Sequence, residues 1–262
     1  MISRIKRLIR RSVWALTKQL EKSDFIPGGY ELKFGSGKID RIDICEDKEE
    51  NCVYVKVTDY KTGMKSFDIT ALYHGLQMQL PVYLNAALDV EQRRFPDKKI
   101  VPAGIFYYRI QDPVVDRKDS DEDVEKSILK ELRLDGLVNG DEQVVSHLER
   151  GLTGNSLLIP VGRNKDGSLS KNSRALPGEA FRTVLKYAKQ KEQDIRDKIR
   201  GGKAEAAPYE MGGASGCDYC PYKDICGFDI RIDGCSYRRL EKYSMEEAVA
   251  KMTIDTGGEA DR

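Results

Sequence analysis

The sequence holds no apolar run approaching the roughly 18 residues a membrane-spanning helix needs, so no transmembrane segment is expected. It also lacks an excess of either charge. Its 44 basic and 43 acidic residues give a formal net charge of +1, so any contact with nucleic acid must come from local basic patches. Histidine is almost missing: there are two, and His74 and His147 are expected as ordinary surface or partly buried side chains. No Gly-x4-Gly-Lys-[Ser/Thr] loop occurs, so this chain alone offers no evident ATPase site. A signal peptide is also lacking. The six cysteines do not read as a disulfide framework, because Cys217, Cys220, Cys226 and Cys235 cluster at metal-ligand spacing, apart from Cys45 and Cys52. A reducing, cytoplasmic compartment is expected.

What remains is 262 residues, 40% hydrophobic and 33% charged, which suits one substantial core with extensions. The stretch from Val53 to Gly63 organises it. As a strand with period two, Val53, Val55, Val57, Asp59 and Lys61 share one face, so an apolar face ends in an acid and a base roughly 7 Å apart. In the preceding run Asp40 shares a face with Ile42 and Ile44, while its rival Asp43 falls on the opposite side. Two strands thus offer two carboxylates and an amine at one edge of a core. The bland alternative is a surface salt bridge between Asp59 and Lys61, with Asp40 a turn residue.

Residues 1–22 place Ile5, Ile9, Val13, Leu16 and Leu20 at helical spacing, with a basic opposite face. Three roles compete for this helix: packing on the domain, contacting DNA, or acting as an organellar transit segment. Packing is favoured. Short strands are predicted at Glu31 to Phe34, Lys38 to Cys45 and Cys52 to Tyr60, with a hairpin at residues 46–51. Thr70 is expected to cap a helix carrying Leu72, Leu76, Leu80, Tyr83, Leu84 and Leu88 as its core stripe. Gln79 and Tyr83, four apart on that helix, could present an amide and a phenol to a base, a phosphate or a water; otherwise they are an edge Gln and a core Tyr. Further on come a strand at Ile100 to Ile110 and short helices at 124–134 and 142–152 around a Gly136–Gly140 turn. An edge strand at 155–162, a loop at 163–178, a charged helix at 179–199 and a linker at 203–216 complete the series.

Gly37-x-Ile39-Asp40, Asp59-Tyr60-Lys61 and Gln79-x3-Tyr83, in that order, resemble the PD-(D/E)xK nuclease core of the RecB-like branch. With Cys217-x2-Cys220-x5-Cys226 near the end, the set is similar to the AddB family, the second subunits of AddAB helicase-nucleases. The resemblance implies an α/β restriction-endonuclease-like core, a mixed central sheet flanked by helices. It further implies a metal-dependent DNA exonuclease, acting in double-strand break repair and recombination beside an AddA-like subunit and taking single-stranded DNA ends. Asp40, Asp59 and the Tyr60 carbonyl would hold Mg2+ or Mn2+, and Lys61, Gln79 and Tyr83 would complete the catalytic set. Cys217, Cys220 and Cys226 would ligate a [4Fe-4S] cluster whose fourth ligand, in that family, lies upstream of the nuclease core. A zinc ribbon completed by Cys235 is the other reading of the cysteines. The family's extra His or Glu from a helix before the first strand has no counterpart in residues 1–30.

The expected division is a basic helix at 1–24, a nuclease core at 25–205, a cysteine module at 206–244 and a flexible tail at 245–262. A hypothesis from another class is a non-catalytic DNA-binding or assembly module with an inactive core. Loss of Asp59 or Lys61 would mark it, and both are present.

Overall fold

Alternating apolar residues build two long antiparallel strands, β2 (Gly37–Asp47) and β3 (Cys52–Lys61), joined by the hairpin whose backbone Asp47 anchors by accepting from the Glu49 and Glu50 amides. The computed structural model describes residues 2–35, 37–116, 120–203 and 205–257. Outside β2 runs β1 (Ile26–Phe34), longer than expected because Pro27, Gly28 and Gly29 are absorbed by a bulge in its pairing. Beyond β3 the chain crosses over through α2 (Ile69–Tyr73) and α3 (Gln79–Arg94) to the parallel strand β4 (Lys99–Arg109). A parallel neighbour requires such a crossover.

The order β1-β2-β3-β4-β5-β6 makes one mixed sheet, completed by β5 (Asp135–Asn139) and the two-residue β6 (Ala175–Leu176). β5 falls where a Gly136–Gly140 turn was expected. A Cβ on Gly136 would sit 1.9 Å from the Ile105 carbonyl oxygen, so that glycine lets β5 approach β4 rather than turning the chain. Residues 155–162 form a loop with an isolated bridge from Asn155 to Gly162 instead of an edge strand.

Two apolar layers sandwich the sheet. On one face Val53, Val55, Val57, Ile105 and Tyr107 pack against Leu80 and Leu84 of α3 and Phe181, Val184 and Leu185 of α6 (Gly178–Arg200). On the other, Tyr54, Phe106, Tyr108 and Val138 meet Val144, Val145 and Leu148 of the short helix α5 (Glu142–Leu148). Here α1 (Ile2–Lys22) also docks, but not by its obvious stripe. Ser12, Ala15 and Gln19 are buried, while Ile5, Ile9 and Val13 stay exposed. Small side chains allow the closer approach: the Tyr108 hydroxyl donates to the Ser12 carbonyl at 3.4 Å, and Ala15 packs with Ile128 of α4 (Asp121–Glu131) and Leu132.

The single helix expected after Thr70 is two. Asp68, not Thr70, caps α2, accepting from the Thr70 and Ala71 amides. Gly75, at φ +81°, then turns the chain into α3, where Gln79 is the first residue. The Thr70 hydroxyl instead holds the Tyr243 backbone, which leads into α7 (Met245–Asp255). This helix lies where a tail was expected. A Ser244–Glu247 capping box starts it, and Ala248 and Met252 are fully buried. The linker region carries a small sheet of β7 (Tyr209–Met211), β8 (Ala214–Ser215) and β9 (Arg238–Arg239).

Candidate active site

The ladder between β2 and β3 ends with Arg41 opposite Thr58, so one further step sets Asp40 opposite Asp59. There β2 has parted from β3, and Asp40 bridges the gap: its Oδ2 accepts the Tyr60 backbone N–H at 2.9 Å. An extended residue sends its N–H and C=O to the same edge, so the Tyr60 carbonyl leaves β3 on the Asp40 side.

Asp59 is 1% exposed. Its Oδ1 accepts from Gln79 Nε2 at 2.8 Å, and the same nitrogen also lies 2.9 Å from the Tyr83 hydroxyl oxygen. Lys61 Nζ donates to Gln79 Oε1 at 2.9 Å. It also sits 2.5 Å from Asp59 Oδ2, close enough for an ion pair, but the angles are not those of a hydrogen bond, which leaves Oδ2 a buried acceptor without a donor. Burial raises the Asp59 carboxyl above the usual carboxylate range; the Lys61 ammonium pulls it back, and the Asp40 carboxylate adds to the rise.

An orphaned carboxylate oxygen beside a second carboxylate fits a hard divalent cation. Oxygen is the donor such ions take, and a positive charge there would restore the ionised form that burial opposes. The structure therefore gathers Asp40, Asp59, Lys61, Gln79 and Tyr83 at one place, with the Tyr60 backbone among them.

Three further residues reach this rim without having stood out in the sequence. Tyr107 pairs with Asp59 across β3 and β4, and its hydroxyl is buried without a hydrogen-bond partner among the described residues. Arg109 pairs with Lys61 one step on, and its Nε is likewise buried and unpartnered. Lys65 lies on the loop after β3, its Nζ 5.2 Å from the Tyr107 ring centre. Period two puts Tyr107 and Arg109 on one face of a strand, but nothing in it says which strand lies alongside.

Asp43 belongs elsewhere. It is buried on the opposite face, 2.6 Å from Arg41 and 3.5 Å from Lys56, where its charge is matched. His74 contacts the Glu241 carbonyl at 2.9 Å, and His147 stands between Asp24 and Asp47. Both have structural partners. As for the cysteines, Cys226 is exposed, and Cys217, Cys220 and Cys235 are half-buried. Among the described residues no three His, Cys, Asp or Glu side chains converge on a metal position, so the thiols as placed do not fit a [4Fe-4S] or zinc site. No described helix is long and apolar enough to cross a membrane.

A family model for the PD-(D/E)XK nuclease superfamily matches residues 1–227. Curated relatives, each named as the B-type subunit of an ATP-dependent helicase/deoxyribonuclease, match almost the whole chain. The protein from Lachnoclostridium phytofermentans is 38% identical over 264 residues, covering 94% of this chain and 23% of the relative. That from Thermoanaerobacter sp. (strain X514) is 34% identical over 266 residues, covering 93% and 23%. That from Clostridioides difficile (strain 630) is 35% identical over 278 residues, covering 96% and 24%. The chain spans about a quarter of the length of these relatives.

Proposed function

The chain belongs to the PD-(D/E)XK nuclease superfamily, and from that premise we propose that it is a Mg2+- or Mn2+-dependent deoxyribonuclease module with its site at Asp40, Asp59, Lys61, Gln79 and Tyr83. One observation carries the proposal. Asp59 is a buried carboxylate whose Oδ2 lacks a hydrogen-bond donor and whose Oδ1 and Lys61 partner are both held by one glutamine.

In this reading the Asp40 and Asp59 carboxylates and the Tyr60 carbonyl hold the cation. When bound, the ion would neutralise charge on the phosphate and make a water acidic enough to attack near neutral pH. The residues do the rest. Lys61 holds the attacking water or offsets the charge that grows on the phosphoryl oxygens, and it does so from a position that Gln79 sets in advance. Gln79 keeps the Asp59 carboxylate turned toward the opening between β2 and β3. The Tyr83 phenol, fixed by Gln79 at 2.9 Å and packed edge-on against Phe34, presents a polar group to a base or phosphate of the strand.

The names of the relatives support a partner as well: a helicase-nuclease assembly with an AddA-like subunit, feeding single-stranded DNA ends to this module in double-strand break repair in the cytoplasm. A nuclease core over about residues 25–205 followed by a cysteine segment over 206–244 remains our division of the chain. The placement of the thiols lends the [4Fe-4S] cluster no support, and no step involves it.

The test is cleavage of end-labelled single-stranded DNA by this chain with Mg2+, beside Asp59→Ala and Lys61→Ala versions shown to be folded by circular dichroism. Cleavage by the parent and not by the variants is expected. A folded parent that binds DNA without cutting it would shift the assignment to a binding module.

A further inference from the structure

Two ammonium groups share one buried ring. Lys61 Nζ lies 5.6 Å and Lys65 Nζ 5.2 Å from the centre of Tyr107, which is 2% exposed. Cations are drawn to an aromatic face, but two of them on one ring repel each other. Lys61 has an anion of its own in Asp59. Lys65 has no ion pair or side-chain hydrogen bond among the described residues, and its acidity reflects that: burial, then the Lys61 charge, lowers its pKa, with Asp59 offsetting only in part.

A third cation stands beside them. Arg109 is two residues past Tyr107 on β4 and directly opposite Lys61, so it shares their face, and its Nε is buried without a partner.

Nor is Lys65 on a loose loop. The Phe67 N–H donates to Asp135 Oδ2 at 2.9 Å, the Asp68 N–H donates to Gln77 Oε1 at 3.1 Å, and Gln77 Nε2 donates to the Ser66 carbonyl at 3.0 Å. Asp135 is held in turn by Arg174, and it pairs with Tyr107 across β4 and β5. Each of the three residues after Lys65 is thus pinned by its backbone, which fixes the segment that carries the ammonium. The same loop walls a cleft of about 510 Å3 whose other side bears Lys171 and Arg174.

A chain that spends this many interactions to hold an unmatched cation beside another has arranged a place for an anion. Resting on the nuclease reading above, we propose that Lys65 and Arg109 form a second phosphate subsite, gripping the backbone phosphate next to the one cleaved. Tyr107 acts as a positioning residue whose ring spaces Lys65 from Lys61. The bound strand then passes from the Asp40 and Asp59 carboxylates over the ends of β3 and β4 toward the cleft at Lys171. Contacts of this kind to phosphate carry no base preference, so the subsite sets grip on the strand rather than sequence choice.

The experiment is the salt dependence of binding of a fluorescent oligo-dT to the full chain in EDTA, where no cleavage occurs. The variants are Lys65→Gln, Lys65→Arg and Arg109→Gln, with Lys48→Gln on the distant hairpin as control. One lost phosphate contact lowers the slope of log K against log salt by about 0.7 for a single strand. Lys65→Gln and Arg109→Gln are each expected to show that drop, whereas Lys65→Arg and Lys48→Gln keep the parent slope. With Mg2+ present, Lys65→Gln is expected to raise KM several-fold with kcat near that of the parent. A Lys65→Gln chain with the parent's slope would overturn the subsite even if the parent cleaves DNA. A parent that neither binds nor cleaves would overturn the nuclease reading as well, so the two failures are distinct.

Discussion

Gln79 Nε2 donates to Asp59 Oδ1 at 2.8 Å, and the other end of the same amide accepts from Lys61. One side chain therefore fixes both halves of the Asp-x-Lys pair. It can do so because Gln79 opens α3 immediately after the turn at residues 74–78, where it lies over the end of β3. Displacing a reacting group by about 1 Å can cost on the order of 100-fold in rate. Gln79→Ala is accordingly expected to cut kcat by roughly 10- to 100-fold with DNA binding retained. Gln79→Glu, which keeps the acceptor for Lys61 but sets a second carboxylate against Asp59, is expected to do no better. Single-turnover cleavage checks both, and near-parent rates for Gln79→Ala would remove this residue from the site.

Asp59 trades stability for chemistry. Its folded pKa is raised, so the ionised form present near neutral pH opposes folding, and its Oδ2 has no hydrogen bond in compensation. Asp59→Asn is expected to abolish cleavage and to raise the melting temperature in EDTA, by about 2–4 °C for each kcal/mol relieved. Excess Mg2+ is expected to raise the melting point of the parent and leave that of Asp59→Asn unmoved. A parent melt indifferent to Mg2+ would count against a cation at this site.

How much of this was legible without coordinates depended on distance along the chain. The faces of β2 and β3 follow from local alternation, so Asp40, Asp59 and Lys61 could be placed at one edge from the sequence alone. Gln79 and Tyr83 came from helical spacing that survived a wrong helix boundary, because Gly75 breaks the helix before either residue. Tyr107, Arg109 and Lys65 could not be read this way. Their relation to Asp59 and Lys61 depends on β4 lying parallel to β3 after a long crossover, and pairing between strands so far apart leaves no periodic mark. The packed face of α1 was hidden for a related reason: close approach to Tyr108 favours Ser12 and Ala15 over the larger Ile5 and Ile9, so the hydrophobic stripe points the wrong way. The strand β5 read as a turn because its Gly136 serves contact with β4.

The last helix provides a test of the fold itself. Met252 is fully buried in the core formed by the α3 and α6 face of the sheet, and α7 is tied to α2 through Thr70 and Tyr243. Emptying such a site costs the lost transfer energy plus a cavity. Met252→Ala is expected to lower unfolding free energy by about 2–5 kcal/mol, measured by urea unfolding with an unchanged m-value. A loss below about 0.5 kcal/mol, the range of ordinary surface substitutions, would mean that α7 does not pack as described.

The opposite edge of the molecule sets the acid limit of the fold. His147 Nδ1 lies 2.8 Å from Asp24 Oδ2 and its Nε2 3.4 Å from Asp47 Oδ2, so α5 is clasped between the entry to β1 and the β2 hairpin. Burial alone would raise the Asp24 carboxyl, but hydrogen bonds from His147 and Arg150 outweigh it and hold the group below its ordinary value of 3.8. Asp47 is lowered too, first by the Glu50 backbone N–H. A carboxylate with a depressed folded pKa contributes stability that is present above its unfolded pKa and lost as pH falls through the folded value. Melting temperature is therefore expected to hold from neutral pH to about pH 5 as far as these two groups are concerned, then to fall between about pH 4 and pH 2. Because Asp24 is about a third exposed, its share is discounted for solvent screening. Asp24→Asn is expected to melt lower than the parent at neutral pH and to converge on it in acid, since the interaction it removes is one the parent loses there anyway. Parallel curves for the two proteins across that range would show that Asp24 does not set the acid limit.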